Sequence, residues 1–321
     1  MIIFDIMKSP ASKSPALKNF RRLAVCVAAL CVTLGVAVSS PVLFAQAQDQ
    51  DEVINVESNL IVLNVTVTDG RGGYVHGLTK TDFQVFEDEK SQLISTFSVE
   101  DTPFAVAILL DSSGSMEGRM TLARAAAIRF LDSLRENDVA AVYRFYSKIE
   151  LMQDFSSSRD LTSIAYSVRP EGLTLLNDAI KRAAQDLAKR NEKRKAILVL
   201  SDGADYGSRA SQNQALDEAL AAGVTIYTVE ISSNGSQPAA RPTASLRAFA
   251  NKSGGRYIST PGGQALREAF QDISEELSNQ YTIGYQMPAN ARDGKWRAIG
   301  VTTSRPALKL RTRDGYRAPK K

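Results

Sequence analysis

From Phe104 to about residue 280 the chain repeats one pattern: a short, nearly continuous apolar run, then a longer stretch with apolar residues at helical spacing. No other feature constrains the fold as tightly. The apolar runs cover 104–110, 138–145, 196–200, 224–229 and 256–259, and the helical stretches fall near 117–135, 175–190, 211–222, 243–253 and 262–279. A strand that is apolar at nearly every position buries both faces, as in a parallel sheet covered by helices on each side. Right-handed crossovers wind such strands into a doubly wound layer. The sequence therefore predicts an α/β domain with a doubly wound, mostly parallel sheet over residues 103–280.

The flanks read differently. Residues 48–102 carry a β-branched run at 60–68, a turn at 69–73, and strand patterns at 82–88 and 92–99. Residues 281–321 carry three more, at 281–285, 296–302 and 308–311, and end in a loose tail at 318–321. Their alternation of apolar and polar residues suits sheets wetted on one face. About three strands per flank is marginal for independent stability. The economical arrangement is one small β-sandwich made by both flanks, with the α/β domain inserted between them; two separate β appendages are the competing arrangement. Trp296 is expected in the sandwich core.

Residues 1–47 read as a secretory signal peptide. Lys8, Lys13, Lys18, Arg21 and Arg22 precede an apolar stretch from Leu23 to about Val38, and Ala45-Gln46-Ala47 offers a small-residue exit. An uncleaved anchor is the alternative, because Leu23 to Ala45 is long enough to span a bilayer. The expected location is periplasmic or secreted, with membrane tethering if the segment is retained. The formal charge of +4 comes from this segment, whose five basic residues face one acid, Asp5; the remainder is neutral. A neutral chain lacks the basic face that nucleic acid requires. Cys26 and Cys31 both lie in the apolar stretch, and the residues before them, Val25 and Leu30, are not the small ones a lipoprotein site needs. The mature chain then has no disulfide, thiol nucleophile or thiolate metal site.

Five oxygen-bearing residues stand where such a sheet binds ligands. Asp111 follows the run 105–110, and Ser113 and Ser115 alternate after it around Gly114; Asp202 follows the run 195–201, and Thr174 lies in a loop leading into a helix. In open α/β sheets the carboxyl ends of the strands form the binding edge. Two carboxylates and three hydroxyls make a hard-oxygen set suited to Mg²⁺, with Mn²⁺ or Ca²⁺ as alternatives, and unsuited to zinc. The competing reading makes Asp111 and Asp202 helix caps only.

These residues carry a resemblance. Asp-x-Ser-x-Ser at 111–115, Gly-x-Thr at 172–174 and Ser-Asp-Gly at 201–203 resemble the metal-ion-dependent adhesion site of von Willebrand factor type A domains, over roughly residues 103–280. The flanks, through Val65–Gly70, Gly77–Phe83, Phe97–Pro103, Gly294–Trp296 and Arg313–Tyr316, resemble bacterial exported proteins termed VWFA-related. The resemblance implies that Asp111, Ser113, Ser115, Thr174 and Asp202 hold a divalent cation. It also implies that a Glu or Asp of a partner protein completes the cation's shell, and that loop rearrangement around Thr174 and Asp202 switches affinity. Two carboxylates leave a divalent ion near neutral or still positive, hence open to an outside carboxylate. The expected function is an exported adhesion or assembly module, not an enzyme. The alternatives are a metal-assisted hydrolase or phosphoryl-transfer enzyme, and a structural envelope component with a fold-stabilising metal.

Other residues read blandly. Glu117, Asp178 and Asp205 are expected as acids favouring helix starts. Asn64-Val65-Thr66 matches a glycosylation sequon but lies within a strand pattern. His76, the single histidine, precedes the α/β region, which removes a Ser-His-Asp hydrolase of the usual form. The charged run 189–195 reads as a solvated link between helix and strand.

Overall fold

The computed structural model describes residues 60–99, 102–158, 172–231, 240–288 and 291–320. The expected signal segment and both cysteines lie outside the described residues. Four strands come first: β1 (Leu60–Thr68), β2 (Phe83–Glu87), β3 (Lys90–Gln92) and β4 (Ile94–Ser98). The alternating layer follows as β5 (Phe104–Asp111), α1 (Met120–Asp132), β6 (Val139–Phe145), β7 (Ile149–Ser156), α2 (Leu176–Ala188) and β8 (Arg194–Ser201). It continues as α3 (Gln212–Ala221), β9 (Val224–Ile231), α4 (Ala240–Ser253), β10 (Tyr257–Thr260) and α5 (Gly263–Ser278). The chain closes with β11 (Tyr281–Gln286), β12 (Trp296–Thr303), β13 (Lys309–Arg311) and β14 (Gly315–Arg317).

The central sheet has the order β10-β9-β8-β5-β6-β7, parallel except for β7. Every residue of β5 is buried, because successive side chains enter opposite cores. Ala105, Ala107 and Leu109 join the core formed with α2, α3 and α4, while Phe104, Val106, Ile108 and Leu110 join the core formed with α1 and α5. In α2 the buried set Leu176, Ala179, Ile180, Ala183, Ala184 and Leu187 is a single stripe at helical spacing. The fold class is thus the α/β, doubly wound one that the periodicity implies.

One strand had no continuous apolar run to announce it. β7 is only half buried and returns antiparallel along β6 after a tight turn closed by Tyr146 N–H donating to the Lys148 carbonyl at 2.9 Å. Its polar Glu150, Gln153 and Asp154 suit the outer edge of a sheet.

The flanking strands form two four-stranded antiparallel sheets, β13-β1-β11-β4 and β14-β12-β2-β3. Each sheet draws two strands from either side of the α/β layer. Their facing sides share one core, in which Phe83, Phe97 and Tyr281 pack with ring centroids 5.3–5.9 Å apart. Trp296 is not in that core. Burial alternates along β12, and the inward parity belongs to Ile299 and Val301, so Trp296 faces outward at 39% exposure. The expected strand at 92–99 is broken at Leu93, which is 85% exposed between β3 and β4.

The sandwich and the α/β layer meet through buried polar groups. Glu276 of α5 accepts hydrogen bonds from Thr66 of β1 (3.2 Å) and Tyr227 of β9 (2.8 Å), and pairs with Arg311 of β13 at 2.5 Å. Arg194 corrects the solvated-link expectation for 189–195. It is 1% exposed and donates to the carbonyls of Gln280 (2.5 Å), Val99 (3.0 Å) and Leu277 (3.4 Å) and to the Thr282 hydroxyl (3.0 Å). Its guanidinium caps the C-terminal turn of α5 and holds a strand of the sandwich in one group. Asn64 is also buried within β1, so its sequon is enclosed in the folded sheet. Among the described residues, no helix is long and apolar enough to cross a membrane.

Candidate metal centre

Asp111 ends β5 and Ser201 ends β8. These strands run parallel with Leu110 opposite Leu200, so the two residues lie side by side at one edge of the sheet. The winding reverses at β5, which has β6 on one side and β8 on the other. A crevice forms outside the carboxyl ends at such a point.

Asp111 is fully buried. Its Oδ1 accepts from the Ser113 N–H at 2.9 Å, and its Oδ2 accepts from the Ser201 hydroxyl at 2.5 Å. Ser113 is buried as well, and its Oγ lies 3.0 Å from the Oγ of Ser115, which is exposed in the 3-10 turn Gly114–Met116. Asp202 follows Ser201, and Gly203, with φ at 84°, reverses the chain beyond it. That left-handed geometry favours glycine.

Thr174 is buried in a loop that packs against Ser147. Leu173 N–H donates to Ser147 Oγ at 3.0 Å, and Gly172 has φ at 73° with the space for its absent Cβ only 1.9 Å from that same oxygen. Beyond it, the Thr174 carbonyl accepts from the N–H groups of Tyr206 (3.1 Å) and Gly207 (3.2 Å). The loop after Asp202 is thereby tied to the Thr174 loop. Two acids complete the tie. Asp178 accepts from Arg209 N–H (2.9 Å) and Ala210 N–H (2.8 Å), and Asp205 accepts from Asn177 N–H (2.8 Å) in the first turn of α2.

The structure therefore brings four of the five expected residues together by direct contact or strand register. Thr174 arrives with its loop, and no hydrogen bond joins its hydroxyl to the other four. Sequence reasoning passed over the hydroxyl of Ser201 as a partner of Asp111, although Ser201-Asp202-Gly203 carries it. Asp178 does sit in the first turn of its helix, but Asp205 serves α2 and not the helix that follows it, α3, which Ser211 caps. Glu117 lies exposed ahead of α1, because Gly118, with φ at 79°, delays the helix to Met120. His76 is exposed in the loop between β1 and β2.

Burial pushes the Asp111 carboxyl up to about 6; the nearby charge of Asp202 adds to this, and hydrogen bonds from Ser113 and Ser201 oppose it. Among the described residues no Lys or Arg forms an ion pair with it. A buried carboxylate without a counter-charge is costly. A hard cation resting on these oxygens would remove that cost. Among the described residues there is no cluster of three or more His, Cys, Asp or Glu side chains able to hold a metal; the oxygens beside Asp111 are the hydroxyls of Ser113 and Ser201. The residues present fit an oxygen-preferring divalent ion on that chemistry.

Replacing Asp178 with alanine leaves the Arg209 and Ala210 amides without acceptors. The expected cost is about 1–2 kcal/mol, with faster hydrogen exchange at these two amides. Unchanged exchange there would show that the clamp is not what orders the loop.

The family model of the von Willebrand factor type A domain matches residues 105–272. No curated protein matches the chain. Among solved structures, the chain is similar to the PilB minor pilin from Streptococcus sanguinis, with 17% identity, 55% of this chain and 61% of that chain covered, and a TM-score of 0.44. It spans about three fifths of that pilin's length. It is similar also to the vWF domain of the type V pili tip protein Mfa5 from Porphyromonas gingivalis, with 16% identity, coverages of 54% and 94%, and a TM-score of 0.46. A third likeness is to a von Willebrand factor type A structure from Catenulispora acidiphila, with 13% identity, coverages of 82% and 75%, and a TM-score of 0.48.

Proposed function

The chain belongs to the von Willebrand factor type A domain family, and we propose that it is an exported adhesion or assembly module that binds an acidic side chain of a partner protein through a divalent cation. Asp111, Ser113, Ser115, Thr174 and Asp202 would hold that ion, with Mg²⁺ the best match to a small, hard-oxygen site. A bound ion supplies an electrophilic position for a carboxylate from outside the chain.

The observation that carries this reading is the buried, unpaired Asp111 carboxylate beside the Ser113 and Ser115 hydroxyls at the carboxyl edge of the sheet. The chain's own residues prepare the site in three ways. The rigid ends of β5 and β8 fix Asp111 and Asp202. Ser201 and the Ser113 amide orient the Asp111 carboxylate. The hydrogen bonds from Tyr206 and Gly207 to the Thr174 carbonyl tie the two outer loops to each other. Ser115, exposed at the rim, leaves the site open to an approaching group.

Capture from envelope extract tests this reading directly. The purified chain, immobilised in Mg²⁺, is expected to retain an acidic partner that EDTA releases and re-added Mg²⁺ restores. A partner retained equally with and without the cation would place binding elsewhere on the molecule and overturn the proposal.

A further inference from the structure

A cleft of about 430 Å³ opens at the other end of the parallel strands. Lys195, the second residue of β8, lines it, whereas Asp202 lies just past the far end of that strand, roughly 20 Å away along an extended chain. Leu60 of β1, Leu220 of α3 and Met287, just after β11, give the cleft apolar walls. Lys193, Lys195 and Arg313 bring positive charge to it.

The charges around this cleft do not balance. Arg190 is matched by Glu192 at 2.7 Å and Arg317 by Asp217 at 2.9 Å. Lys193, Lys195 and Arg313 form no ion pair among the described residues, although the charge of Glu192, already held by Arg190, also acts on Lys195. Arg313 is 7% exposed; its two terminal nitrogens donate to the carbonyls of Leu220 (2.6 Å) and Val62 (2.9 Å), and its Nε is buried with no partner. Glu87 offers it no ion pair, since its Oε2 accepts from the hydroxyls of Tyr285 (2.6 Å) and Tyr316 (2.9 Å). Burial depresses Arg313 to about 10 and lowers Lys195 as well, the signature of cations held away from water. Capping the C-terminus of α3 accounts for the contact of Arg313 with Leu220. It does not account for the orphaned Nε. A buried guanidinium without an acid is an incomplete arrangement, and a cleft of this size with apolar walls and a few convergent polar groups has the form of a small-molecule site.

We propose that this cleft binds a small amphiphilic anion, a carboxylate or phosphate monoester with an apolar tail, its acid group held by Arg313, Lys195 and Lys193 and its tail against Leu60, Leu220 and Met287. The site is independent of the cation centre and stands whether or not that reading holds.

Calorimetric titration of the purified chain with octyl phosphate tests it, with octyl glucoside and inorganic phosphate as arms that keep only the tail or only the charge. Saturable binding of octyl phosphate is expected, at least about tenfold tighter than either arm, since a charge-assisted hydrogen bond is worth that factor. The Lys193→Gln/Lys195→Gln variant keeps the fold, because neither lysine makes a structural pair, and is expected to weaken octyl phosphate by about tenfold or more. Vesicles of phosphatidylglycerol, set against phosphatidylcholine, separate the sources: selective co-sedimentation assigns the anion to a lipid headgroup, and its absence alongside octyl phosphate binding assigns it to a free organic acid. Absence of saturable octyl phosphate binding, equal affinity for octyl glucoside, or unchanged affinity in the double variant would each overturn the proposal.

Discussion

Replacing Arg194 with methionine lowers the unfolding free energy of this protein by about 3–5 kcal/mol, the cost of breaking a buried charged group's contacts. Methionine fills a similar length of cavity, so packing is not the main loss. What goes is one donor group that reaches the carbonyls of Leu277 and Gln280, the Thr282 hydroxyl and the Val99 carbonyl, the last of which keeps a second donor, the Thr102 hydroxyl at 3.3 Å. Val99 lies just past β4, Leu277 in the last turn of α5, and Thr282 in β11, so one side chain satisfies acceptors in the sandwich and in the α/β layer. Each buried acceptor left unmade costs about 1–3 kcal/mol before any relaxation. Lysine at 194 is expected to recover only part of the loss, because a point ammonium cannot serve divergent acceptors as a planar fork does. Urea unfolding of the wild type and both variants checks this. A loss below about 1 kcal/mol in the methionine variant would show that water replaces the guanidinium at these carbonyls.

Replacing Asp111 with alanine is expected to abolish stabilisation by divalent cations. A wild-type chain in Mg²⁺ at about 100 times its dissociation constant gains about 2.7 kcal/mol by mass action, and the variant gains none. The cation-free fold should survive the change. The folded-state value of Asp111 is raised to about 6, above the ordinary 3.8, so the shift contributes stability below the ordinary value that is lost as pH rises through about 6. At pH 7 without a cation, the ionised carboxylate is therefore a burden on the fold. Its removal offsets the loss of the hydrogen bonds from Ser113 and Ser201. Thermal unfolding at pH 7, with EDTA and then with Mg²⁺, separates the two effects. Equal Mg²⁺ stabilisation of wild type and variant would remove Asp111 from the site, and with it the chemistry proposed for this edge.

Much of the architecture was legible because burial has a local period. A strand covered on both faces is apolar at every position, as 104–110 and 196–200 are, and a helix packed on one side shows the stripe seen from Leu176 to Leu187. The same logic placed Asp111 and Asp202 at strand ends, where a run of apolar residues gives way to an acid. It failed where burial is partial. β7 carries no clean run, and Trp296 followed its strand's parity outward despite its size. Asp205 serves a helix start, as expected of it, but that of a helix preceding it in the chain, which no local pattern could show.

The sequence by itself determined the alternating α/β layer, the strand character of both flanks, and the oxygen-rich residues at the strand ends, because each of these is written in spacing along a few consecutive residues. Only the tertiary structure decided how the two flanks interleave into shared sheets, and which member of the charged run 189–195 is buried. It alone showed that Arg313 is enclosed without an acid. Those outcomes depend on partners far away in the chain, such as Arg194 with Val99 or Arg313 with Val62. A charged side chain carries the same local signature whether water or a distant carbonyl satisfies it, so its fate is settled only when the chain has closed around it.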